Sequence, residues 1–231
     1  MVDTLTVLKS LRLRPYKREV VERLPSGSIE LDALLGGGWV KGGVNEIAGD
    51  AVTGKSLMTF LAINAALKRG RTAVLFDSEN VFEMKFARQF FNPLSPNFAL
   101  VQNMGGEDVC NLIGKLAYNQ SRPLIVLDSW NALAFGMDRA LDLAAADGLQ
   151  NEVYRMRGWL FASFLRGLNL ATGTFLFTSH KPVQIGHVVP LTAYSKLCDA
   201  RVEMLNAPRP MLRAKVVGGI VTRRSEAERV W

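Results

Sequence analysis

The segment GDAVTGKS, Gly49 to Ser56, lies between the apolar run VNEIAG and a run of helical periodicity that opens at Ser56. A strand, a glycine-bearing loop and a helix in that order constrain the fold more than any other feature of the chain, because Gly49, Gly54, Lys55 and Ser56 meet the spacing of a phosphate-binding loop. Successive backbone N–H groups and the helix N-terminus surround the β-phosphate, Lys55 neutralises β/γ charge and Ser56 offers a hydroxyl to Mg²⁺. Asp50, Ala51, Val52 and Thr53 complete the cradle, with Thr53 assigned to loop geometry rather than proton transfer. ATP and Mg²⁺ are the expected cofactors.

The rest of the chain extends that unit. SIELDALLGGG predicts a short helix stopped by Gly36 to Gly38, and the helix after the loop runs to about Arg69 with Leu57, Phe60, Leu61 and Leu67 as its buried side. TAVLF, FALVQ, LIVLD and TFLFTS read as strands. Between them, helices are predicted over about 82–91, 108–119 and 151–170, the last burying Val153, Met156, Leu160, Phe164 and Leu168. ARVEML, LRAKVV and GIVTR read as consecutive antiparallel strands with Gly218 and Gly219 as a hairpin turn. The fold class is therefore α/β, a P-loop NTPase architecture with a mainly parallel sheet, helices on both faces and an antiparallel C-terminal edge. Residues 1–24 form an arm or linker, interrupted by Pro15, and 25–231 form one domain.

Size and charge narrow the function classes. A chain of 231 residues with 48% hydrophobic content can bury one large core. Cys110 and Cys198 are its two cysteines and match no metal-ligand spacing, so a reducing compartment and no zinc site are expected. No apolar run reaches the length of a membrane span, which predicts a soluble cytoplasmic protein without a membrane partner. The net charge of +7 favours an anionic partner without identifying it.

Strand ends supply the remaining candidates, because ligands of such sheets bind beyond the carboxyl ends of the strands. Asp128 ends LIVLD and suits a magnesium-site acid, with helix capping as the competing role. Glu79 lies two residues beyond TAVLF and is placed to orient or deprotonate water, and Asp77 competes for that role. Ser179 and His180 end TFLFTS, where a polar group can sense the γ-phosphate and pass its presence to the following loop. A structural His180 is the alternative.

LPSGSIELDALLGGG, GDAVTGKS, LFDSEN, LIVLDS and FLFTSH, in that order, resemble the ATPase core of the RecA/RadA recombinase family. The resemblance spans about Leu24 to Val217, and the short length points toward archaeal RadA paralogues of RadB or RadC type. It implies a catalytic glutamate at Glu79, a phosphate loop over Gly49–Ser56 and a magnesium-site aspartate at Asp128. It further implies a first DNA-facing loop within 131–148, a second beginning after His180, and a helix carrying FLRGL at Phe164 to Leu168. The family's sensor strand commonly ends in Asn-Gln, where this chain has Ser179-His180.

The function so implied is an ATP-binding protein assisting homologous recombination and DNA repair, a weak or DNA-stimulated ATPase. Lys55, Glu79 and His180 would be its catalytic residues. Single-stranded DNA is the expected partner, with a RadA-type recombinase or self-association beside it. Lys181, His187, Tyr194, Lys196, Arg201, Arg223 and Arg224 are the candidates for DNA contact, where aromatic faces and cations serve sequence-tolerant binding; a solvated basic surface is the competing reading. A nucleotide-regulated mediator or scaffold with negligible hydrolysis is the alternative function.

Overall fold

The computed structural model describes residues 21–136, 149–168, 172–180, 197–206, 213–219 and 228–230. The chain enters through β1 (Arg23–Leu24), which pairs antiparallel with β2 (Trp39–Val40). Between them lies α1 (Ile29–Leu35). Ser28 caps it by accepting from the Leu31 N–H at 3.3 Å, and Gly36, at φ 69°, stops it in the left-handed conformation that glycine adopts without a Cβ clash.

The main sheet is built from β3 (Val44–Gly49), β4 (Ala73–Asp77), β5 (Phe98–Val101), β6 (Leu124–Asp128), β7 (Thr174–His180), β8 (Ala200–Leu205), β9 (Arg213–Gly219) and β10 (Glu228–Val230). Its order is β10-β9-β8-β3-β7-β6-β4-β5. From β8 to β5 all neighbours are parallel, while β9 and β10 add an antiparallel edge. The central position of β3 sets the phosphate loop beside the ends of β7 and β8.

Alternation along these strands feeds two apolar layers. On one face, Ile47, Leu75, Val126, Leu176 and Val202 pack against α1 and α2 (Lys55–Leu67). On the other, Val74, Ile125, Leu127, Phe175 and Phe177 pack against α4 (Gly106–Ala117) and α5 (Leu149–Gly167). A mainly parallel sheet covered on both faces is the architecture the sequence predicts. No helix among the described residues is long and apolar enough to cross a membrane.

Five local expectations are corrected. The strand ARVEML is parallel to β3, with Glu46 opposite Arg201, and antiparallel only to β9. Residues 181–199 give the length a parallel crossover needs, and the one-in, one-out burial of β8 mimics an antiparallel edge. Gly218 and Gly219 lie inside β9, where Gly219 pairs with Ala200, rather than in a hairpin turn; the strand that follows is β10, and residues 220–227 lie outside the described set.

The helix expected over 82–91 contracts to α3 (Met84–Ala87) followed by turns. Two forces compete with helical hydrogen bonding there. Asp77 captures the Phe82 N–H at 2.8 Å, and Phe60 gathers Phe82, Phe86, Phe90 and Phe91 at ring separations of 5.7 to 6.0 Å. Along α2 the buried apolar residues are Met58, Phe60, Ala62, Ile63, Ala65 and Ala66, whereas Leu57, Leu61 and Leu67 are only half-buried, because small residues let this central helix approach the sheet closely. On the described part of α5 the buried side is Phe161, Ala162 and Leu165, with Leu168 buried just beyond its end; Met156 and Leu160 are exposed beside Trp159, and the Val153 side chain lies outside the described residues. Trp130 fixes that rotation by stacking on Phe161 at 4.4 Å.

Candidate nucleotide site

The phosphate loop leaves β3 at Gly49, where an added Cβ would fall 2.8 Å from Thr53 Oγ1 and 2.9 Å from the Met204 carbonyl oxygen. Only glycine fits between the loop and β8. Thr53 then donates to the Asp50 carbonyl at 2.8 Å, closing the loop on itself. Val52 takes φ 64° with its side chain exposed, an unusual backbone for a β-branched residue. Gly54, at φ 92°, opens α2 without a side-chain cap, so the first-turn N–H groups have no acceptor from a capping residue.

Lys55 is buried and folds back over the loop. Its Nζ donates to the Asp50 carbonyl at 2.7 Å and the Gly49 carbonyl at 3.1 Å, and lies 3.5 Å from His180 Nδ1. Burial pulls its ammonium below the usual lysine range, against the opposing charges of Asp128, Glu79 and Asp50. An arriving phosphate would replace two neutral carbonyls with an anion, a stronger partner for this desolvated cation.

Asp128 stands at the end of β6 among hydroxyls. Thr178 donates to it, Ser56 hydrogen-bonds to it, and the Asp128–Ser129 peptide bond is cis. Burial raises its pKa above the ordinary aspartate value; the two hydroxyls resist this, and the charges of Glu79 and Asp77 add to it. One hydroxyl and one carboxylate in mutual hydrogen-bond reach are the hard oxygen donors that magnesium takes when phosphate and water complete its shell. Among the described residues no group of three or more His, Cys, Asp or Glu could hold a metal by protein ligands alone. The hydroxyl of Ser56 and the carboxylate of Asp128 fit a magnesium ion by their donor chemistry.

Glu79 and Asp77 separate clearly. Asp77 is buried and its Oδ2 accepts from the Phe82 N–H and from Gln102 Nε2 at 2.7 Å, so it fastens the chain after β4. Glu79 Oε1 instead accepts from Ser129 Oγ at 2.6 Å and lies 3.2 Å from His180 Nε2. Burial would raise the Glu79 carboxyl, but Ser129, His180 and the Lys55 charge outweigh it and hold the group below its ordinary value, ionised and able to accept a proton. His180 thus bridges Lys55 and Glu79, and its own backbone N–H is held by Asn131 Oδ1 at 2.8 Å.

The structure brings Lys55, Ser56, Glu79, Asp128 and His180 to one end of the parallel sheet. It adds Ser129, Thr178 and Asn131, which sequence reasoning did not assign to the site. Thr178 had a signal, a hydroxyl within an otherwise apolar strand next to its end. Arg201, a candidate for nucleic-acid contact, sets its Nε 2.8 Å from the buried Glu46 carboxylate. Lys181, His187, Tyr194, Lys196, Arg223 and Arg224 lie outside the described residues, as does 137–148 of the first expected DNA-facing loop.

The family model described as RecA N-terminal domain matches residues 8–154. Protein RecA of Acholeplasma laidlawii is 34% identical over 126 residues, covering 54% of this chain and 38% of that relative. Protein RecA of Prochlorococcus marinus (strain MIT 9303) is 32% identical over 123 residues, with 53% and 32% covered, and that of Synechococcus sp. (strain CC9605) is 33% identical over 123 residues, with 53% and 33% covered. The chain thus matches about a third of the length of these relatives.

Proposed function

The chain belongs to the RecA N-terminal domain family, and from that premise we propose that it binds ATP with magnesium at the Gly49–Ser56 loop and uses the nucleotide to control single-stranded DNA binding in homologous recombination and repair. The observation that carries this reading is the position of His180. One side chain lies 3.5 Å from the phosphate-loop Lys55 and 3.2 Å from Glu79, at the end of the strand leading into residues 181–196. A group so placed meets the γ-phosphate on one side and the following segment on the other.

Magnesium, when bound, would neutralise charge on the β- and γ-phosphate oxygens. Ser56 and Asp128 would hold it, and Lys55 would stabilise charge spreading over the transferred phosphoryl group. Glu79 would orient a water and take its proton as the water oxygen bonds to the γ-phosphorus and the bond to the β–γ bridging oxygen breaks. Turnover is expected to be weak or DNA-stimulated, since such sites gain greatly from a cation supplied by a neighbour. Self-association or a RadA-type recombinase would provide that neighbour.

A mediator or scaffold with negligible hydrolysis is the second reading, favoured by Ser179-His180 in place of the family's Asn-Gln. The narrower type proposed from the sequence is a short archaeal RadA paralogue; the matched relatives are bacterial RecA proteins and support the family alone.

Size-resolved single-stranded DNA binding with Mg–ATP, Mg–ADP and no nucleotide tests the proposal, with turnover measured beside it in wild type and Glu79→Gln. Nucleotide-dependent DNA affinity and a turnover loss of about 100-fold or more in the variant are expected. Equal DNA affinity in all three states would sink the switch, and unchanged turnover would sink the role of Glu79.

A further inference from the structure

Glu46 is a carboxylate without a place in the nucleotide site. It sits in the middle of β3, fully buried, and the alternation that puts Val44 and Phe177 in the α4/α5 layer puts Glu46 on the same face, opposite to α2. Three contacts converge on it. Ser179 Oγ donates to Oε1 at 2.6 Å, Arg201 Nε lies 2.8 Å from Oε2, and Cys198 Sγ donates to Oε2 at 3.8 Å. Ser179 immediately precedes His180 on β7, while Arg201 belongs to the start of β8 and Cys198 lies two residues before that strand. The two strands flank β3 and bracket residues 181–196.

A buried carboxylate in the centre of a parallel sheet costs desolvation that an apolar side chain would avoid, and pairing it with one arginine rarely stabilises more than an apolar substitute of similar volume. Its contacts do make it specific, because one group is shared between the nucleotide-facing strand end and the next strand of the sheet. A shift of His180 on meeting a phosphate moves Ser179, its chain neighbour. Ser179 can move only with the Glu46 carboxylate or by giving up its hydrogen bond, and the same carboxylate holds Arg201.

We propose that Glu46 is a positioning residue that couples the sensor end of β7 to β8 through the Ser179–Glu46–Arg201 contacts, so that nucleotide state is transmitted across β3. This rests on the reading that the Gly49–Ser56 loop binds a nucleotide, and it names the regulation of that site. The face opposite the phosphate loop thereby carries the signal, and Arg201 serves within the protein rather than at a nucleic-acid surface.

Hydrogen exchange of the full chain, with and without a slowly hydrolysed Mg–ATP analogue, tests it by following peptides over 49–60 and 198–206 separately. In wild type both should slow, the β8 peptide by about fivefold or more, the low end of usual coupling between sites. Glu46→Gln should keep the slowing at 49–60 and lose it at 198–206. Since this variant strands a cation, the double variant Glu46→Gln/Arg201→Met is measured too; it should recover thermal stability yet still lack the β8 response. A β8 response that persists in Glu46→Gln, or returns in the double variant, overturns the proposal, as does a wild type that protects 49–60 but not 198–206. Absence of any protection at 49–60 in wild type would instead overturn the nucleotide reading beneath it.

Discussion

Two regions of the sheet, its open carboxyl end and its closed α4/α5 face, each present a glutamate to a cation and a serine, and they do so with opposite electrostatics. Glu79, at the strand ends, accepts from Ser129 and His180 with Lys55 nearby, and these partners outweigh burial so that its pKa falls. Glu46, in the α4/α5 layer, accepts from Ser179 with Arg201 beside it, yet burial outweighs the same kinds of partner and its pKa rises. Solvent makes the difference. The Glu79 side chain is 33% exposed and that of Glu46 1%, so one carboxylate is kept charged and available while the other is held at a cost for what it connects.

The largest test of this contrast removes the cation on the open face. Lys55→Ala should weaken nucleotide affinity by about 100-fold, equivalent to a charge-assisted contact of about 2.7 kcal/mol, as read by titration with a fluorescent nucleotide. Its melting temperature should stay near wild type, because the lysine bears a burial cost that alanine lacks. A strong loss of stability would mean that Lys55 is structural, like the residues of the closed face.

Acid titration opposes the two glutamates directly. Glu79 has a lowered folded pKa, so its stabilisation is present above the unfolded value of about 4.3 and is lost as pH falls through the folded value. Glu46 has a raised folded pKa, so the folded state gains relative stability as pH falls through that value and Glu46 becomes protonated. Urea unfolding followed from pH 7 down to about pH 3, below the unfolded glutamate value, should therefore show the deficit of Glu79→Gln shrinking and that of Glu46→Gln growing on acidification. Parallel trends would erase the distinction.

The smallest test concerns backbone rather than charge. Val52→Gly removes a left-handed penalty of about 1–2 kcal/mol and adds an unfolded-state entropy cost of about 0.5–1 kcal/mol. Urea unfolding should find a net gain of about 1 kcal/mol or less. A clear loss would show that the exposed Val52 side chain packs against something.

Much of the open face was legible in the chain because its residues sit at strand ends, where a hydrophobic run stops and polar residues begin. GDAVTGKS, Asp128, Glu79 and His180 all follow that rule. Choosing Glu79 over Asp77 was not possible from order alone, since both follow TAVLF; the choice depends on Phe82 and Gln102 having claimed Asp77. Helix rotation was legible only in part. Met156 and Leu160 share the apolar character of Phe161 and Leu165, and the stack of Trp130 on Phe161 selects which pair is buried.

By itself the sequence determined a glycine-bearing loop between a strand and a helix, because glycine, lysine and serine at those spacings act through local backbone geometry. It determined the parallel, doubly covered character of the sheet as well, because strand and helix runs alternate. Only the tertiary structure decided that β8 returns parallel beside β3 and that Arg201 closes on Glu46. Strand order is a choice among neighbours far apart in the chain, made by which faces bury together, and no local pattern records it.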